Sequence, residues 1–84
     1  MSDDINTIVH NILKRVGELD ESREIRPSDD IGEDLGIDSL ARIDVIVGIE
    51  RHYGIVFNEA DMVDVTTVSD LLSVTEETVN GSRP

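Results

Sequence analysis

Apolar residues in the first part of the chain recur with a helical period. Ile5, Ile8, Val9, Ile12, Leu13 and Val16 stand at the i, i+3, i+4, i+7, i+8 and i+11 positions of one face. Ser2, Asp3 and Asp4 precede them, where side-chain acceptors and negative charge suit the free N–H groups of a helix start. Lys14 and Arg15 lie near the other end, and Gly17 offers a stop. A helix is predicted over about 3–16.

Residues 17–38 break this rhythm. They hold Pro27, Gly17, Gly32 and Gly36, together with a scatter of acids that ends in Asp29, Asp30, Glu33 and Asp34. The apolar residues are sparse: Leu19, Ile25, Ile31, Leu35 and Ile37. A free linker has no use for them, so this long connection is expected to pack down on the core.

The stretch 39–52 reads two ways. Ile43, Val45, Val47 and Ile49 alternate as in a strand, and β-branched residues favour strands. Leu40, Ile43, Val47 and Glu50 also trace a helical stripe that Ile46 widens. The run is long for a strand, and Asp38 offers an N-cap acceptor, which favours helix without closing the question. Gly54 ends the element, and Ile55 and Phe57 turn inward. Residues 59–64 are expected to form a short helix with Met62 and Val63 facing the core. Thr66 and Thr67 are candidate caps, with Asp70 placed to complete a capping box with Thr67. Val68, Leu71, Leu72 and Val79 form the inner face of a last helix over 67–79, and "NGSRP" frays. The sum is an all-α fold: a small bundle of three main helices plus one short helix, with a long loop between the first and second helices. It forms a single domain over 1–84.

Composition narrows the chemistry. One Phe, one Tyr and no Trp leave a core of Ile, Val and Leu and almost no aromatic platform for bases. A net charge of −12 argues against nucleic acid and against anionic membranes. It suits a soluble monomer that docks on basic patches of other proteins. The first residues form neither a signal peptide nor a membrane span, so no membrane insertion is expected and a cytoplasmic location follows. The absence of cysteine excludes a disulfide framework, a thiolate zinc site and a cysteine nucleophile.

Catalytic constellations fail one by one. Ser39, His52 and a carboxylate could be imagined as a triad, but no nucleophile-elbow context surrounds the serine. The acidic run from Asp29 to Asp38 invites a calcium reading. Counted from Asp30, the third, sixth and twelfth positions of the loop are Gly32, Leu35 and Ala41, where an EF-hand needs a ligand, a glycine and a glutamate. A phosphate-cradling loop with its lysine is absent, since Lys14 is the chain's only lysine. No metal site is expected. What remains is Ser39, at a helix start that would tolerate an attached phosphate.

The context of that serine is specific. Leu35, Gly36, Ile37, Asp38, Ser39 and Leu40 follow an acidic loop. An apolar helix then closes in Glu50, Tyr53, Gly54 and Ile55, and Thr67, Val68 and Asp70 open the last one. This ordered set resembles an acyl carrier protein over nearly the whole chain.

The resemblance implies that Ser39 is the attachment point of a 4′-phosphopantetheine arm, taken from coenzyme A by a phosphopantetheinyl transferase. The arm's thiol would carry acyl groups as thioesters, which accounts for a chain without cysteine or catalytic base. The chain would be a carrier and a substrate of the transferase, not an enzyme. It would shuttle intermediates between acyl-loading and acyl-transfer or condensing enzymes of fatty acid, polyketide or modified-lipid biosynthesis. Asp38, Leu40, Arg42, Ile43, Asp44, Glu59 and Asp61 are the implied recognition residues. Ile43, Ile46, Val47, Ile55 and Val68 are candidates to line an acyl pocket. The resemblance also tips 39–52 to helix. Two features depart from it: the second helix mixes Asp44 and Glu50 with Arg42 and Arg51, and Asn58 stands where many members have proline. A peptidyl or D-alanyl carrier, and an acidic helical interaction protein that bears no arm, are the alternatives.

Overall fold

The computed structural model describes residues 4–81. Four helices follow one another: α1 (Ile5–Gly17), α2 (Ser39–Tyr53), α3 (Glu59–Met62) and α4 (Val68–Gly81). The described residues form no strand, only an isolated antiparallel bridge between Asp30 and Thr67. The bundle and its long first connection are as the hydrophobic pattern predicts.

Helix α1 begins at its cap. Asp4 accepts from the Thr7 N–H at 2.8 Å, and that bond holds its carboxyl below the usual carboxylate range. A start at residue 3 lies outside the described residues, as do residues 82–84; Asn80 and Gly81 are helical, so α4 runs past the expected end at 79 and the chain does not fray there. Ile8, Val9, Ile12 and Leu13 are buried against α2 and α4.

The helix stops one residue later than Gly17 would imply. Glu18, not the glycine, takes the left-handed conformation at φ 53°. The cause is packing: a Cβ on Gly17 would meet Ile37 Cγ1 at 3.1 Å. The glycine is therefore kept for a close approach between α1 and the long connection. Glu18 N–H and Leu19 N–H then close on the Arg15 and Lys14 carbonyls at 3.3 and 2.8 Å.

The connection packs down as expected. Ile25, Ile31, Leu35 and Ile37 are all buried. Each is worth roughly 1.5–3 kcal/mol relative to leaving it in water. Its backbone also serves α4. Val68 and Ser69 donate their N–H groups to the Asp29 and Pro27 carbonyls at 3.0 and 2.9 Å, and Ile31 N–H donates to Thr66 at 2.9 Å. The Thr67–Asp70 capping box forms in both directions at 3.1 Å. The free donors of the α4 start are thus satisfied by the loop and by its own cap.

Helix α2 is a helix throughout, capped by Asp38 and closed by Gly54 at φ 66°. Its core face differs from the stripe read along the sequence. Val45 and Ile49 are buried, with Ala41, Ile46 and Tyr53 packed beside them, whereas Leu40 and Ile43 are 77% and 54% exposed. The short helix α3 spans Glu59–Met62, two residues less than 59–64. Met62 is half-buried, but Val63 faces solvent, contrary to the inward placement expected of it. Val65, three residues beyond Met62, takes that place in the core.

Candidate functional site

Ser39 is the first residue of α2 and is exposed. The turn before it is built to present it. Gly36 stands at φ 70°, and Ile37 is buried and donates its N–H to the Ile31 carbonyl at 3.2 Å. Asp38 then leaves the loop in an extended conformation, and its Oδ1 accepts from Ala41 N–H at 2.8 Å. A buried isoleucine on one side and a capping carboxylate on the other fix the serine at the rim.

A cavity of about 290 Å³ opens beside it, lined by Asp30, Gly32, Ile37, Asp38, Ser39, Arg42 and Thr66. Asp30 is turned to the backbone, its Oδ1 accepting from Gly32 and Glu33 N–H at 2.9 and 2.8 Å. Arg42 is the one cation of this wall. Its Nη2 donates to the Met62 carbonyl at 3.3 Å and to the Val65 carbonyl. The side chain therefore reaches from α2 to the segment around α3.

No histidine joins this cavity. His10 is half-buried on α1, where burial chiefly lowers its imidazole below the usual value, Lys14 adds to that, and Asp4 opposes it. His52 is exposed and meets Tyr53 edge-on, ring centroids 4.8 Å apart. Ser39 has no imidazole within its own cavity, and a serine–histidine–acid triad is not assembled. No group of acidic or imidazole side chains among the described residues is placed to hold a metal ion.

A family model described as the phosphopantetheine attachment site matches residues 7–74. A Coprothermobacter proteolyticus acyl carrier protein is 32% identical over 66 residues, 79% of each chain. One from Thermotoga maritima is 29% identical over 75 residues, 89% of this chain and 91% of the relative. A Schizosaccharomyces pombe protein named as a mitochondrial acyl carrier protein is 32% identical over 65 residues, 74% of this chain, which spans 58% of that relative's length.

The chain belongs to the acyl carrier protein family. Members are carriers and not catalysts, and the cofactor is 4′-phosphopantetheine. The residues present fit that group: an exposed serine on a helix start, an open cavity at its side, and a guanidinium on the cavity wall. No helix among the described residues is long and apolar enough to cross a membrane.

The other sequence-derived candidates scatter around α2. Leu40, Ile43 and Asp44 are exposed on it, and Glu59 and Asp61 are exposed on α3. Of the five acyl-pocket candidates, Ile55 and Val68 are buried in the core, Ile46 is half-buried, and Ile43 is largely exposed. Val47 lines a separate groove of about 770 Å³ between α1 and α2, with Ile8, Ile12, Arg15 and Arg51 among its walls. The structure therefore does not gather the five around one described cavity.

Two contributions went unread in the sequence. Glu50, part of the motif that closes α2, accepts the Phe57 N–H at 2.8 Å and so fixes the chain that leaves the helix. Arg42 has its guanidinium turned to the α3 segment, and its place one turn after Ser39 was the available signal.

Proposed function

We propose that Ser39 is the attachment residue and that this carrier shuttles acyl intermediates between enzymes of fatty acid, polyketide or modified-lipid biosynthesis. The observation that carries the reading is the presentation of Ser39. It is an exposed hydroxyl at the first residue of a capped helix, beside an open cavity, in a family defined by phosphopantetheine attachment.

The Ser39 oxygen would bond to the phosphorus of coenzyme A that bears the pantetheine, as the pyrophosphate P–O bond breaks and adenosine 3′,5′-bisphosphate leaves. The serine proton would pass to the phosphopantetheinyl transferase. The bound arm supplies a thiol that holds acyl groups as thioesters. Asp38 holds the helix start in the geometry that exposes the serine. Leu40 and Ile43 offer apolar contact to the transferase and to acyl-loading and condensing enzymes, and Asp44, Glu59 and Asp61 offer charge. A cytoplasmic setting accords with the absence of a spanning helix among the described residues.

The test is intact-protein mass after incubation with coenzyme A, Mg²⁺ and a broad-specificity phosphopantetheinyl transferase. The native chain gains one arm, and Ser39→Ala gains none. A native chain of unchanged mass overturns the reading, and equal gain by Ser39→Ala moves the attachment elsewhere.

A further inference from the structure

We infer that Arg42 binds the phosphodiester of the arm and couples the arm to the α3 segment, an inference that rests on Ser39 as the attachment residue. Ser39 and Arg42 line the same cavity of about 290 Å³ and lie three residues apart, on one side of α2. A phosphodiester made on Ser39 places an anion within that cavity's reach. The wall holds a single cation to meet it.

The two carboxylates of the wall each engage backbone N–H groups through one oxygen. Asp38 Oδ1 faces Ala41 N–H, and Asp30 Oδ1 faces Gly32 and Glu33 N–H. Neither carboxylate is paired with Arg42; among the described residues the one ion pair joins Arg26 and Glu24. The Arg42 guanidinium spends one nitrogen, Nη2, on two neutral carbonyls. Its Nη1 and Nε meet no acceptor among the described residues. A half-buried guanidinium with two donor nitrogens to spare and no counter-ion is chemically unfinished, and a phosphate oxygen is the partner its fork fits.

The carbonyls on its other side give the contact a consequence. Met62 O, which accepts from Nη2, also accepts from Val65 N–H at 3.2 Å. Val65 O is the second acceptor for the same nitrogen. A phosphodiester that holds the guanidinium in place also holds these carbonyls, and so tightens the turn that follows α3. The arm is thereby reported to the turn after α3 by one side chain. Lysine offers all its donors from one nitrogen and so does not span the phosphate and the carbonyls as the guanidinium fork does.

The test compares apo and arm-bearing protein by NMR and amide hydrogen exchange. In the native chain the Arg42 Nε–H resonance moves on modification, and exchange of the Val65 amide slows by about tenfold. In Arg42→Gln the slowing falls below about twofold and the phosphorus resonance of the arm moves away from its native position. Arg42→Lys keeps the phosphorus resonance nearer the native value but not the slowing. An Nε–H resonance unmoved by modification in the native chain, a measurement that needs no variant, overturns the inference. So does a phosphorus resonance identical in native and Arg42→Gln proteins. A chain that gains no arm, seen by mass, breaks the attachment reading instead.

Discussion

The long connection that leads into Ser39 and the α3 segment that Arg42 reaches are held by opposite means. On one side the long connection has no regular secondary structure, yet Ile25, Ile31, Leu35 and Ile37 are buried, and its backbone bonds to Thr66, Val68 and Ser69. On the other side α3 is helical, yet none of its residues is buried. It rests on an Asn58 cap at 3.0 Å, a half-buried Met62 and the guanidinium of Arg42. Local regularity and anchorage are different properties here. What anchors a segment is the apolar surface it buries and the long-range partners its backbone finds.

The largest effect belongs to the irregular side. Ile31→Ala removes a side chain that is 2% exposed beneath a loop that cannot collapse without breaking its bonds to Thr66 and Val68. Its cost is about 2–5 kcal/mol, read from chemical denaturation with an unchanged m value. A cost under about 1 kcal/mol would show that the loop is draped on the core and not part of it.

Next comes the joint between loop and α4. The Asp70 carboxyl is held below its usual value, first by the Thr66 N–H, then by the Thr67 N–H and hydroxyl. A carboxyl lowered in the folded state adds stability above the unfolded value and loses it as pH falls through the folded one. Asp70→Asn is therefore less stable than the native chain at neutral pH, with a lower Tm. The gap between the two narrows as pH drops below 3.8. A gap that stays constant down to acid pH would show that the side chain acts by shape alone. On the α3 side, Asn58→Ala removes a cap from a helix of four residues. It costs about 0.5 kcal/mol globally, while exchange of the Asp61 amide, bonded to Asn58 O at 3.0 Å, speeds up more than that of any α4 amide.

The same contrast decides what could be read from the sequence. Helix α1 was legible because one face carries all its buried residues and the opposite face carries none. The Thr67–Asp70 box was legible because its two partners are three residues apart. Helix α2 gave two periodicities because it is apolar on more than its core face: Leu40 and Ile43 are exposed, and Val47 lines a groove against α1. Apolar residues outside the core face erase the stripe that a helix apolar on one face alone would show. Ser39 emerged through its motif and through the chemistry missing around it. The reach of Arg42 to Met62 and Val65 did not emerge, because residues twenty and more positions apart meet only once α3 is placed. Val63 was misplaced for a related reason: after so short a helix the period sets no face, and the chain gave Val65 to the core.

Val63 also gives the smallest and sharpest prediction. It is 78% exposed, beside a helix that buries nothing. Val63→Ser removes apolar surface that already faces water, so global stability stays within about 0.5 kcal/mol of native. The same change removes exposed apolar surface of the kind that Leu40 and Ile43 also offer. On the proposal that partner enzymes dock through such exposed apolar side chains, it lowers their affinity, read as a rise in KM for the carrier with kcat unchanged. A destabilisation above about 1 kcal/mol would show that α3 is anchored through this residue after all, and the contrast between the long connection and the α3 segment would fail.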